Sequence, residues 1–428
     1  MRTSLYIFLT VVMVFVSTHA LNAQQRGPEP HRTRLIAYPT AEAAKQQSLT
    51  RQRYMQPIEE WTEVDGVLRG EFTFPFSWLE RQVVMRVEGV AGPYEVWING
   101  KRAASSQNGF AAQEFNITKV SKEDKNRVEL RMLDAGEVMP IECFERGESK
   151  PVIYIISQPR VRVRDVAWRT DIDMGGVVNA NFSVVMQNQT LGNKSSRLYY
   201  ELYLNDTIRL TAGHLDVALG MYGVDTMRFG APVPDSVLWS ASSPSRLSLR
   251  LKNRIEGRDV EFYDIPVGLR KLTYDKGVYM INDQVCDMHW SEISPMSTVE
   301  QLAEAYAQGV RAVRFTAGWV RDELLDYCDA QGIYVAVTAP INSSLSGESR
   351  KRGGNPSNNP KWVDQYVERT VQMIHTTKRH PSVVAYYLAD DSANGICLYE
   401  SYLAACAISD RPVFYLDGGE EWNSADMY

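Results

Sequence analysis

Apolar residues fall on alternate positions through the first half of the chain and at helical spacing after it. Val83, Met85 and Val87, then Tyr94, Val96 and Ile98, put apolar groups on one side of an extended strand. Asn99-Gly100 follows and supplies the left-handed residues of a tight hairpin turn. Arg127 to Met132 alternates again. The pattern predicts a jelly-roll β-sandwich over residues 64–158. A second all-β block, 159–267, alternates at Phe182-Val184-Met186, Leu198-Tyr200-Leu202 and Leu247-Leu249-Leu251, which predicts an immunoglobulin-like β-sandwich. Residues 24–63 are polar and contain proline. They read as an extended N-terminal arm, with a hint of helix only in the run HRTRLIAYPTAEAAKQQ.

The period changes near Gly268. Thr298 and Gln301 form a capping box that opens a helix, and Arg311 to Thr316 reads as a strand. Asp322 to Gln331 reads as a helix closed by Gly332, and Ile333 to Val337 as the next strand. Trp362, Val363, Tyr366, Val367, Val371 and Ile374 recur at helical spacing before the apolar strand Val383 to Leu388. A helix near Leu398 to Ile408 precedes the strand Val413 to Leu416. Strands alternating with helices predict a parallel sheet, here part of a (β/α)8 TIM barrel over 268–428 holding about strands one to six. The chain is therefore expected to be multidomain, with two sandwiches followed by an incomplete barrel.

Size and charge narrow the function. The 428 residues suffice for two to four domains, and a net charge of −6 leaves no basic surface for nucleic acid. Arg2, the apolar run Leu5 to Val16 and the small residues Ala20 and Ala23 follow the grammar of a signal peptide over 1–23, cleaved after Ala23. That run is shorter than the ~20 residues a membrane-spanning helix needs. A periplasmic or secreted location and no membrane span are expected. Cys143, Cys286, Cys328, Cys397 and Cys406 are odd in number and widely spaced, so they form no disulfide framework. The six histidines lack metal-ligand spacing, and neither a metal nor another cofactor is expected.

Several local sequences resemble glycoside hydrolase family 2, in its bacterial β-galactosidase branch. VWINGK (Val96 to Lys101) and FNIT (Phe115 to Thr118) look like that family's sugar-binding domain. GLRKL (Gly268 to Leu272) and MIND (Met280 to Asp283) resemble the approach to its barrel. YCDAQGIYV (Tyr327 to Val335) matches the stretch after the second barrel strand, and RHPSVVAYYLADDSANG (Arg379 to Gly395) is similar to the fourth-strand signature. RPVFYLDGG (Arg411 to Gly419) and SADMY (Ser424 to Tyr428) resemble strands five and six.

The resemblance implies a degenerate site. Retaining glycosidases place two carboxyl groups ~5–5.5 Å apart across the anomeric carbon. Where the family has Asn-Glu after strand four, this chain has Asp390-Asp391, so Asp391 stands at the acid/base position one methylene short. Asp390 stands where an asparagine would touch the sugar. The family's nucleophile belongs to strand seven, and the sequence ends within the segment resembling strand six. The family's third-strand glutamate aligns with Thr338, its magnesium ligands with Asn342 and Ser344, and a substrate-facing histidine with Ala317. Arg314 and His289 are retained, His289 being read as following the first strand. Trp290, Trp319, Tyr386 and Tyr387 are candidate sugar platforms, although at least one of Tyr386 and Tyr387 reads better as barrel core. Glu420 and Glu421 read as a solvated loop.

The resemblance thus implies an exported, non-catalytic glycan-binding or structural homologue whose ligand is a glycan or oligosaccharide. The competing reading is a β-galactosidase-type hydrolase of O-glycosyl bonds, whose barrel is completed by a complementing chain. Open barrel edges also allow pairing into a homo-oligomer.

Overall fold

A computed structural model describes residues 28–415, apart from 48–52, 91, 110–111, 135, 137–138, 145–150, 174, 350 and 352–353. The expected signal peptide, Glu420, Glu421 and the segment resembling strand six lie outside the described residues.

Two antiparallel sheets pack face to face in the first unit. One holds Met55–Pro57, Val152–Gln158, Gln82–Glu88 and Gln113–Asn116 in that order. The other holds Thr62–Val64, Val67–Phe74, Asp124–Met132, Tyr94–Ile98 and Lys101–Ser106. Val83, Met85, Val87, Val96, Ile98, Val128 and Leu130 fill the core, as the alternation requires. Asn99 and Gly100 both have positive φ (51° and 75°) at the expected turn. The strands Met55–Pro57 and Thr62–Val64 correct the reading of 24–63 as an extended arm. Met55 pairs with Ile156, about a hundred positions away, so no local period announces that strand.

The second unit is a sandwich of three strands (Val161–Ile172, Val178–Asn188, Val224–Val233) on four (Ile208–Leu219, Lys194–Leu204, Leu247–Ile255, Arg258–Val267). Its core includes Phe182, Val184, Met186, Leu198, Leu202, Leu249 and Leu251, with the Tyr200 ring stacked on Phe229 at 3.8 Å. The arm is bonded to both units rather than free of them. Leu35 and Ala37 are buried in this second core, and Tyr38 bridges to Phe262. The Arg32 guanidinium donates to both oxygens of buried Glu114 in the first sandwich (2.8 and 2.9 Å). A short helix, Ala41–Gln46, starts where the Thr40 hydroxyl accepts from Ala43 N (3.1 Å).

Five parallel strands with intervening helices follow: β1 Trp290–Ile293, α1 Val299–Ala307, β2 Ala312–Phe315, α2 Asp322–Gln331, β3 Tyr334–Thr338, α3 Val363–Thr377, β4 Val383–Tyr387, α4 Ile396–Ile408 and β5 Val413–Phe414. The strands lie in chain order in one sheet. The Thr298/Gln301 capping box is present, and Gly332 ends α2 with φ 71°. Alternate strand residues divide the sheet into two faces. Val313, Phe315, Val335, Val337, Tyr386 and Val413 pack under the helices, while Ala312, Tyr334, Ala336, Ala385 and Phe414 form a separate inner cluster. A three-stranded antiparallel ribbon (Leu272–Asp275, Val278–Ile281, Gln284–Cys286) lies against that inner cluster through Tyr274, Tyr279 and Ile281.

Buried carboxylates join the units and set the acid response. Burial alone would raise the pKa of Asp165 in the second sandwich. The His375 and Lys378 partners at the end of α3 outweigh burial and hold it well below the carboxylate range. At Asp322, burial is likewise outweighed, by Arg379, His380 and Arg34, and the shift is also downward. A carboxylate with a depressed folded pKa contributes stability above its unfolded value of ~4, and that stability is lost as pH falls below it. The thermal midpoint, followed by circular dichroism, is expected to be flat from about pH 7 to about pH 5 and to fall steeply below about pH 4. Asp165→Asn should reduce that slope. An equally steep fall in the variant would remove Asp165 from this account.

Candidate site at the barrel mouth

The loops after parallel strands gather at the sheet's carboxyl end, where barrel chemistry is placed. Ala339 N donates to Tyr387 O (2.9 Å), Asp390 N to Ile341 O (3.0 Å) and Ser343 N to Asp391 O (2.8 Å), so the loop after β3 is zipped to the loop after β4. The Ser343 hydroxyl bonds Asn355 Oδ1 (3.0 Å) and Ser392 Oγ (2.8 Å) beneath them. These bonds hold the backbone of Asp390 and Asp391 in place.

Asp390 and Arg314 form the centre of the site. Arg314 Nη1 donates to Asp390 Oδ1 (2.6 Å) and to the Thr338 hydroxyl (3.1 Å), and Nη2 donates to Glu292 Oε1 (2.6 Å). The second Asp390 oxygen accepts from Ala317 N (2.6 Å). Arg314 and Asp390 are both buried, whereas the Glu292 side chain is 64% exposed. Burial disfavours the arginine charge, but the hydrogen bonds to Asp390 and Glu292 outweigh it and push the Arg314 pKa above its ordinary value. The Tyr387 ring lies 5.2 Å from the same guanidinium. Asp391, by contrast, is exposed, and among the described residues its carboxylate has no hydrogen-bond partner.

The structure brings together Arg314, Asp390 and Asp391 of the expected set and separates the rest. His289 is not after the first strand. It precedes β1, at the end away from the mouth, and is exposed beside Asp287 at 3.3 Å. Trp290 is the first residue of β1 and packs edge-on against Tyr279 (6.1 Å), again at the far end. Trp319 lines a small cleft with Gln372, Met373 and Thr376 of α3, on the helix side of the sheet. Tyr386 is core under the helices, whereas Tyr387 stands on the inner face. These misplacements have one cause: motif order locates a residue within a few positions, and a strand's two ends and two faces are separated by fewer than that. Glu292 was missed, although the period of two from Trp290 puts it on the inner face. Thr338 and Ala317, read as losses, supply a hydroxyl and an amide to the Arg314–Asp390 pair. The Asn342 side chain accepts from Ser344 N (3.0 Å), capping its own loop.

Among the described residues, Asp326, Asp329 and His380 could hold a metal ion by spacing. Arg246 lies 3.3 Å from Asp326 and 3.8 Å from Asp329, and Asp329 accepts from His380 Nδ1 (2.8 Å) and from the Ser382 hydroxyl (2.6 Å). Arg246, His380 and Ser382 already satisfy these carboxylates. With Trp239 Nε1 donating to Asp329 O (2.9 Å), the cluster braces the second sandwich against the barrel.

Comparison with known proteins agrees with this architecture. Residues 296–425 match the family model "Glycosyl hydrolases family 2, TIM barrel domain", and residues 54–144 match "Glycosyl hydrolases family 2, sugar binding domain". The chain is 22% identical over 350 residues to a β-galactosidase of Priestia megaterium, covering 76% of this chain and 33% of that protein. It is 23% identical over 388 residues to one of Psychromonas ingrahamii, covering 85% and 36%. The chain thus spans about a third of the length of the curated relatives it matches. Among solved structures, it is similar to a putative β-galactosidase from Bacteroides fragilis, with a TM-score of 0.69 at 17% identity over 84% of this chain and 57% of that one. A Bacteroides uniformis β-glucuronidase gives 0.67 at 15% identity over 82% and 46%. At these identities the structural likeness is one of fold.

Proposed function

Because the chain belongs to glycoside hydrolase family 2, we propose that its barrel mouth binds a glycan without cleaving it, as an exported non-catalytic homologue. The observation that carries this reading is the state of the two aspartates. Asp390 spends one oxygen on Arg314 and the other on the Ala317 amide, which leaves it poorly placed to orient a sugar hydroxyl. Asp391 is exposed, a methylene shorter than the family's glutamate, and among the described residues no hydrogen bond holds its carboxyl toward a leaving oxygen. Misplacement of a reacting group by about an ångström costs ~10²-fold in rate. The exposed carboxylates of Glu292 and Asp391 remain available to accept hydrogen bonds from sugar hydroxyls. Export rests on the apolar run Leu5 to Val16 and is tested by N-terminal sequencing of protein recovered outside the cytoplasm.

A hydrolase completed by further barrel strands is the second reading, and the carboxyl group that Asp391 keeps at the fourth-strand position favours it. The assay that separates the two is turnover of aryl β-galactosides and aryl β-glucuronides by the purified chain. No turnover is expected, and Asp391→Glu alone should not create any. Turnover abolished in Asp391→Ala would reject the non-catalytic reading. A melting-temperature shift with galactosides or longer glycans, reduced in Asp391→Ala, would support binding at the mouth.

A further inference from the structure

The outward face of the four-stranded sheet in the second sandwich is richer than solvent exposure requires. Cross-strand register sets His214, Tyr199, Lys252 and Phe262 in one row, and Ala212, Glu201, Arg250 and Asp264 in the next. The Tyr199 ring has the His214 imidazole at 5.7 Å on one neighbouring strand and the Lys252 ammonium at 4.3 Å on the other. Such pairs stabilise a sheet, but they would do so on a flat surface. Here the short helix Ala41–Gln46 lies along the outer strand, tied by Gln47 Nε2 donating to Asp264 O (3.0 Å). Ala41 walls the face into a groove of about 420 Å³. That volume lies in the ~300–1,000 Å³ range of small-ligand sites.

We propose that this groove is a second glycan site, separate from the barrel mouth, and that it takes a short neutral oligosaccharide. Its charges cancel: Glu201 and Asp264 stand against Arg250 and Lys252, with Arg250 Nε already donating to Asp264 (3.0 Å). An acidic polymer finds no positive excess there, and an apolar peptide would have to desolvate four charged groups. A sugar suits the mixture. Its hydroxyls both donate and accept, matching Glu201 and Lys252, while its C–H face packs against Phe262, Ala41 and Ala212. Among the described residues Glu201 makes one ion pair, with Arg209 at the rim (3.4 Å), while neighbouring Arg250 pairs with Asp264, so much of the accepting capacity of Glu201 is unused. The proposal does not rest on the reading of the barrel mouth.

The test is calorimetric titration of the full chain with gluco-, galacto-, manno- and xylo-oligosaccharides, from disaccharide to hexasaccharide, with heparin and polygalacturonate as charged comparisons. At least one neutral series is expected to bind. Glu201→Ala and Lys252→Ala should each weaken it by about tenfold or more. Both side chains are partly exposed, so an unchanged melting temperature will show that the variants fold. The loss caused by Glu201→Ala should recur at the same size when Asp391→Ala is already present, because distant sites act independently. Binding by none of the neutral series, binding of the charged polymers alone, or loss in Asp391→Ala with Glu201→Ala unaffected would each overturn the proposal.

Discussion

Replacing Arg314 with alanine is expected to destabilise the barrel by about 3–5 kcal/mol, the cost of stranding a buried charge. Arg314 is 4% exposed and the Asp390 it neutralises is 9% exposed. Without Arg314, Asp390 keeps only the Ala317 amide, and the Thr338 hydroxyl loses its partner. The Glu292 contact adds little, because that carboxylate can return to water. The cost therefore lies in one orphaned aspartate, which makes a specific second expectation. Arg314→Met combined with Asp390→Asn should recover most of the loss, since replacing both partners removes the stranded charge. Urea unfolding, with hydrogen exchange of the β2, β3 and β4 amides to localise the effect, measures both. A loss below about 1 kcal/mol for Arg314→Ala, the size of a surface pair, would mean that Asp390 is not held as described. It would then be available to a ligand, and the binding-only reading of the mouth would lose its main support.

The second large effect should come from Glu142→Ala, again about 3–5 kcal/mol. Glu142 follows the turn Met139–Ile141 in the first sandwich, while Arg369 projects from α3 of the barrel. Their side chains are 1% and 0% exposed, and Arg369 Nε donates to Glu142 Oε1 at 3.1 Å. Arg369 also donates to Gln365 Oε1 (2.7 Å), and nearby Gln372 Nε2 donates to Ala112 O (3.2 Å). Because the bonds to Glu142 and Ala112 cross between units, losing the pair should alter cooperativity as well as stability. Calorimetry is expected to give one dominant transition in the parent chain and two resolved transitions in Glu142→Ala. Glu142→Gln keeps an acceptor and should fall between. A variant that still melts in one transition at the parent temperature would show that the units are held by other contacts.

Most elements were legible because each has a local period. The alternation at Val83 to Ile98 and the capping box at Thr298 depend on residues within one strand or one turn. The resemblance found the barrel's strand order from short motifs for the same reason. The strands Met55–Pro57 and Thr62–Val64 were not legible, since the first exists only through a pairing with Val152–Gln158. The site was legible in part. Asp390, Asp391 and Arg314 do meet, but His289 and Trp290 lie at the wrong end of β1 and Trp319 lies on the helix side. A motif carries position along the chain, not the end or face of the strand it falls on.

From its sequence alone, this protein has its period of two over two sandwiches, its period of 3.6 between parallel strands, and a pair of aspartates where the family keeps asparagine and glutamate. Tertiary structure decided what those aspartates can do. The bond between Arg314 and Asp390 spans 76 positions of chain, and the Ala317 amide that completes it lies 73 away. Whether a carboxylate is free to meet a ligand or is consumed within the protein depends on distances of a few ångströms between such remote groups. Only the packed sheet brings those groups within reach.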